Sequence, residues 1–222
     1  MQFNSMIIDS SDCITELCEL GKKFPTDKSP LNHKNQLSPD NSGHRHAYTA
    51  VYDLLFSGIK YNHIKLAEIG ILNNMSMRCW RQYFHKAQLF GFDFNQKFLN
   101  KAQADNLIDT KYEFINVKDA NSIEFGLNKY SKYDIIIEDS THEFEDQVRV
   151  GQIAHKYLNI GGRLIIEDIF RNIDHSLFYQ YLSKIQAYYS SITFITTKHT
   201  QQFSGHWNND QLLVLTRNNY YD

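Results

Sequence analysis

From residue 63 onward the chain alternates between two periods, and this alternation restricts its fold more than any other feature. Short apolar runs occur at 64–69 (IKLAEI), 88–93 (QLFGFD), 112–117 (YEFINV), 133–138 (YDIIIE) and 163–167 (RLIIE). Between them, 76–85, 95–105, 121–130 and 145–158 carry apolar residues at helical spacing. Strand–helix alternation of this kind predicts a parallel sheet covered by helices on both faces. Ile135–Ile137 and Leu164–Ile166 are nearly uninterrupted apolar runs, as central parallel strands require. A helix at about 174–188 is followed by β-rich runs at 190–197 and 211–216. The linker between those runs is too short for a helical crossover, so they should lie antiparallel. The expected fold is a Rossmann-like α/β sheet of seven strands. It is mostly parallel with an antiparallel C-terminal strand, and helices lie on both faces.

The first 60 residues follow a different rule. Residues 11–20 read as a helix that Ser11 or Asp12 can cap and Gly21 stops. Residues 46–57 read as another, with Tyr48, Val51, Tyr52 and Leu55 on one stripe. Residues 24–45 lie between them, hold all three prolines and show no period, which suits a lid or binding loop. We therefore expect N-terminal helices and a lid over 1–60, and the main domain over 61–222, in one compact unit. At 222 residues one domain is the natural division. The formal net charge of −2 gives no basic excess for a nucleic acid partner. The N-terminal residues lack the pattern of a signal peptide, and no apolar run is long enough for a membrane span. Cys13, Cys18 and Cys79 form no CxxC pair, so a reduced, cytoplasmic setting is expected.

Ligands in open α/β sheets bind outside the carboxyl ends of the strands. The first run of the main domain ends in Glu68-Ile69-Gly70, and the next helix opens near Ser76. Gly70 permits close backbone approach, and Asn73 and Asn74 suit a tight turn. The second run ends in Asp93, an acid placed to bond the hydroxyls of a ribose. The loop has only one glycine where a dinucleotide fingerprint needs three, so it favours an adenosine over a pyrophosphate and speaks against an NAD oxidoreductase.

The fourth and fifth runs end in Glu138-Asp139-Ser140-Thr141-His142 and Glu167-Asp168. Neighbouring parallel strands would crowd Asp139, Glu167 and Asp168 at one rim, where like charges repel unless a cation neutralises them. All-oxygen ligands suit Mg²⁺ or Mn²⁺. His142 could then accept a hydroxyl proton as general base. The bland alternative leaves the glutamates in solvent and His142 as a helix cap.

These residues together resemble the metal-dependent sugar O-methyltransferases of the class I, S-adenosylmethionine (SAM) dependent group. That group includes macrolide-sugar and rhamnosyl methyltransferases and cephalosporin-hydroxylase-like sequences. The resemblance spans about Phe24 to Arg217. Thr26-Asp27-Lys28 looks like its TDK element, His46-Ala47-Tyr48 with Tyr52 like its H-x-Y helix, and Glu68 to Ser76 like its cofactor loop. Trp80 and Phe84, then Gly91-Phe92-Asp93, fit the segments that follow. Asp139 to His142 matches the D-x-x-H segment, and Gly161-Gly162 with Glu167-Asp168 matches the close. The family's glycines before Ser76 are Asn74 and Met75 here.

The resemblance implies that Glu68, Gly70, Ser76, Asp93, Asp119, Thr26 and Tyr48 line the SAM site, with Asp119 near the adenine. It implies that Asp139, Glu167 and Asp168 bind Mg²⁺ or Mn²⁺, and that His142 works beside Asp139 in catalysis. Lys28, His44, Arg45, His46 and Arg171 are candidates for the acceptor, where cations could meet the phosphates of a nucleotide sugar; the same residues could equally be solvated surface charges. The acceptor would be a small sugar or nucleotide sugar, or the sugar of a metabolite or capsule polysaccharide. Homo-oligomers are possible. A catechol-like acceptor stays open, as does a non-catalytic SAM-binding regulatory subunit.

Overall fold

A computed structural model describes residues 3–32, 44–205 and 208–220. The chain forms one eight-stranded sheet in the order β1-β7-β8-β6-β5-β2-β3-β4. The strands are β1 (Asn4–Asp9), β2 (Lys65–Ile69), β3 (Gln88–Asp93), β4 (Thr110–Phe114), β5 (Tyr133–Glu138), β6 (Leu158–Ile169), β7 (Tyr189–Lys198) and β8 (Gln211–Arg217). The helices are α1 (Glu16–Lys23), α2 (Tyr48–Phe56), α3 (Met75–Tyr83), α4 (Gln96–Ala104), α5 (Ala120–Asn128), α6 (Phe144–Ala154) and α7 (His175–Tyr181).

The pleat sorts alternate residues of each strand to opposite faces. Leu66, Leu89, Ile135, Ile137, Ile165 and Val214 pack with side chains of α1 to α4 on one face. Ala67, Phe90, Ile136, Leu164, Ile166 and Leu215 pack with α5, α6 and α7 on the other. This explains why the central strands need apolar residues at every position. β8 runs antiparallel to both β6 and β7, as the short linker requires.

The sequence reading needs four corrections. The sheet has eight strands and not seven, because Asn4–Asp9 pairs in parallel with β7 at the edge. Most of that strand is exposed, so no apolar alternation announces it. Helix α1 begins at Glu16, capped by Thr15, and runs through Gly21 to Lys23. Gly21 is a point of close packing and not a stop: a Cβ there would lie 2.4 Å from the Cβ of Ser29. β6 is far longer than 163–167, and the helix expected at 174–188 ends at Tyr181 and continues as a 3₁₀ segment over Ser183–Tyr188.

The proposed lid also reads differently. Residues 33–43 lie outside the described residues. The flanks at 25–32 and 44–47 are packed down on the sheet edge. His46 N donates to Asp27 O at 2.6 Å and Thr49 N to Lys28 O at 3.1 Å, while Arg45 pairs with Phe203 in an antiparallel bridge. Among the described residues no helix is long and apolar enough to cross a membrane.

Candidate active site

A cavity of about 210 Å³ opens at the carboxyl edge of the sheet, between the β2–α3 loop, the end of β3, the end of β5 and the 25–28 turn. Thr26, Lys28, Gly70, Ser76, Asp93, Asp139 and His142 all line it. Gly70, Ser76 and Asp93 thus share one space with Asp139 and His142, while Glu167 and Asp168 lie outside its lining.

The cofactor side is made largely of backbone. Gly70 has φ of +95°, and a Cβ there would lie 1.9 Å from the carbonyl oxygen of Asp139. Only glycine fits that contact. Leu72 (φ 43°) and Asn74 (φ 65°) also take left-handed backbone, Asn74 as the residue before α3. The turn therefore keeps a shape that glycine would normally supply, with asparagine tolerating it best among the other residues. Asp93 fixes the loop: its Oδ2 accepts from Ile71 N and Leu72 N, both at 3.2 Å, and its Oδ1 from Asn95 N at 2.8 Å. Burial raises the pKa of Asp93, and these amide bonds pull it back down. Phe94, Phe98, Ile115 and Val117 add an apolar wall. The sequence reading missed them, although Phe94 directly follows Asp93 and stands 63% exposed, a rare state for a large aromatic.

Some residues expected on this side are placed elsewhere. Asp119 is exposed and caps α5 through Asn121 N at 3.0 Å, outside the cavity lining. Short acidic side chains at a helix start bond their own backbone readily, which takes it there. Glu68 is fully buried behind the loop, accepting from Trp80 Nε1 at 2.5 Å. The Tyr48 hydroxyl, with one proton to give, lies 2.7 Å from both Asp168 Oδ1 and the Asn209 carbonyl, and so supports the acid cluster instead of facing the cavity.

The acid side is made of charged side chains. Asp139 follows β5, and His142 (φ 61°) turns back so that its Nε2 lies 3.1 Å from Asp139 Oδ1 and 3.4 Å from Asp168 Oδ2. Consecutive strand residues point to opposite faces, so Glu167 and Asp168 should diverge. A register shift between Ile166 and Ile169, with Asp168 at φ 55°, re-aims Asp168 toward His142. The ligand atoms of Asp139, His142 and Asp168 lie within 4.8 Å of one another. Two carboxylates and an imidazole at that spacing are a donor set that a divalent ion fits.

Glu167 was expected among the metal ligands, and the structure turns its carboxylate elsewhere. It accepts from the Tyr52 hydroxyl and from Lys28 Nζ, the latter at 2.6 Å. Lys28 was read as a lid or surface cation; it is 2% exposed and bonds Asp139 as well. His44 and His46 are also buried, and His46 stacks on Tyr48 with Nε2 3.5 Å from Asp168. Arg45 donates to the Gln201 carbonyl at 2.9 Å, and Arg171 grips Asp210 with both arms. None of Lys28, His44 and His46 is therefore a solvated surface residue.

Electrostatics follow from this packing. Burial opposes ionisation of Asp139, but Lys28 and His142 outweigh it and hold the carboxyl at about 2. Burial opposes a charge on His142, yet Asp168 and Asp139 outweigh it and push the imidazole up to about 10. Glu167 is raised well above the usual carboxylate range by burial, with Lys28 pulling the other way.

An open α/β sheet with one antiparallel strand, a glycine-pinned loop and an acid at the end of β3 places a ligand site at the carboxyl ends of the strands. A family model described as a methyltransferase domain matches residues 71–216, and the chain belongs to that family. Among curated proteins it is 26% identical to mycinamicin VI 2''-O-methyltransferase of Micromonospora griseorubida, over 58% of this chain and 33% of that one. It is 24% identical to a tetracenomycin-C rhamnosyl 3'-O-methyltransferase of Streptomyces olivaceus, over 59% of this chain and 34% of that one. The chain thus spans about a third of the length of these relatives. Among solved structures, the MycE methyltransferase of mycinamycin biosynthesis, in complex with Mg and SAH, shares the fold. The TM-score is 0.66 at 16% identity, covering 94% of this chain and 56% of that one.

Proposed function

We propose that the protein transfers the methyl of SAM to a hydroxyl on the sugar of a glycosylated small molecule, with a divalent metal beside the acceptor and His142 as general base. The observation that carries this reading is the shared cavity, which places His142 and Asp139 opposite the Gly70–Ser76 loop. These relatives are named for methylation of glycosylated small molecules, which favours a metabolite over a capsule polysaccharide.

SAM, when bound, supplies a methyl on a positively charged sulfur, which passes to an oxygen approaching in line as the carbon–sulfur bond breaks. Asp93 would take the ribose hydroxyls while its amide bonds keep it ionised. Phe94 and Phe98 would cover the base, and Ser76 and Thr26 would bond the amino-acid end. The work left to the protein is positioning and removal of one proton. Asp139 and Asp168 would hold a divalent ion, which would polarise the acceptor hydroxyl and offset the carboxylates that keep His142 protonated. His142 Nε2 then receives the hydroxyl proton. Asp139 Oδ1 and Asp168 Oδ2 both face that same nitrogen, so it would be open to the proton once the two carboxylates turn to the ion.

The test is turnover of SAM with Mg²⁺ against a panel of glycosylated metabolites, nucleotide sugars and catechols. Activity should fall to background with EDTA and return with Mg²⁺ or Mn²⁺. His142→Gln should abolish turnover while leaving S-adenosylhomocysteine and Mn²⁺ affinities unchanged. If His142→Gln loses Mn²⁺ affinity as well, the imidazole is a ligand and not the base. Turnover that survives exhaustive chelation removes the metal from the scheme.

A further inference from the structure

Lys28 takes no part in the proton transfer, yet it lies against three carboxylates. Its ammonium meets carboxylates at the ends of three strands: Glu167 of β6 at 2.6 Å, Asp139 after β5, and Glu68 of β2 at 3.6 Å. Lys28 is buried, and the backbone around it is anchored, with Ser29 Oγ donating to Cys18 O at 2.9 Å and Thr49 N to Lys28 O at 3.1 Å. Tyr52 closes the remaining side of Glu167.

Asp139 is shared between two cation positions. Its Oδ2 holds the ammonium of Lys28, and its Oδ1 faces His142 in the group that also contains Asp168. An ammonium and a divalent ion on the two oxygens of one carboxylate repel each other across a medium that screens poorly. Glu167 can reach a metal only by giving up its bond to Lys28.

We propose that Lys28 is a built-in cation that competes with the divalent metal for Asp139 and Glu167. It keeps two buried carboxylates and a half-buried one compensated when no metal is present, and it weakens the metal site so that the ion exchanges readily. Seating the metal moves the ammonium off Asp139. This rests on the metal reading given under Proposed function.

The experiment is Mn²⁺ binding to the full chain without SAM, read from the electron paramagnetic signal of free Mn²⁺. The proteins are the parent, Lys28→Met, and the double variant Lys28→Met with Glu167→Gln. The double variant removes the ammonium and its partner charge together, so it stays foldable if the single one does not. Lys28→Met should bind Mn²⁺ about tenfold or more tightly than the parent, because a competing charge in a poorly screened site is gone. The double variant should also bind more tightly than the parent, through the freed Asp139, but less tightly than the single variant. Equal or weaker Mn²⁺ binding in both variants, with the parent binding normally, overturns the role of Lys28 and leaves the metal reading standing. No Mn²⁺ binding by any of the three proteins overturns both.

Discussion

The two walls of the cavity are made of different material. On the cofactor wall, shape comes from backbone: Asp93 holds the loop by its amides, and Gly70 lies against the Asp139 carbonyl. On the acid wall, shape comes from side chains of segments far apart in sequence: Lys28, Asp139 and His142 line the cavity, with Glu167 and Asp168 bonded behind them. A wall of backbone tolerates new side chains wherever the dihedral angles allow them. A wall of opposed charges does not, because removing one partner leaves another buried and unpaired. This is why Asn74 can stand where the resembling family has glycine, while every charged position on the other wall is tied to at least one more.

The largest test of that contrast is Asp168→Asn. Turnover should fall about a thousandfold or more, as when a metal ligand is lost, while S-adenosylhomocysteine affinity by calorimetry stays within about threefold. A parallel fall in both would mean that the walls are not separable. Gly70→Ala attacks a close contact that joins them. It forces a Cβ against backbone at a positive φ, so denaturant unfolding should show a loss of about 3 kcal/mol or more. Cofactor binding and turnover should fall together in that variant. Asp93→Asn should weaken S-adenosylhomocysteine by about tenfold to a hundredfold, the worth of a charged hydrogen bond, with kcat at saturating SAM little changed. Smallest is Leu72→Gly. It relieves a left-handed leucine against a more flexible unfolded chain, so stability should rise by about 1 kcal/mol or less, with activity kept.

Legibility in the sequence followed the same division. Strands β2, β3, β5 and β8 announced themselves because burial on both faces demands apolar runs, the edge strand β4 (Thr110–Phe114) only overlapped the 112–117 run, and Asp93, Asp139 and Asp168 were readable as strand-end acids. β1 was not, because an exposed edge strand needs no such pattern. The role of Lys28 could not be read from its neighbours in sequence, since its three partners come from three later strands. Placing Asp168 beside His142 depended on the shift in β6 pairing, and a one-residue shift leaves no compositional trace. Asp119 misled for the opposite reason, its local cap outweighing the site expected of it.

Three long-range ties join the first segments of the domain to the last. β1 pairs with β7, Arg45 bridges to Phe203, and Tyr48 donates to the Asn209 carbonyl. None of these can form until residues 189–210 have emerged from the ribosome. The N-terminal stretch that carries Lys28 must therefore wait, unpaired, while the rest of the sheet assembles. Such late closure raises contact order and slows folding. It also means that the flank carrying Lys28 is locked in place only after strands β2, β5 and β6, which bear its three carboxylate partners, have been made.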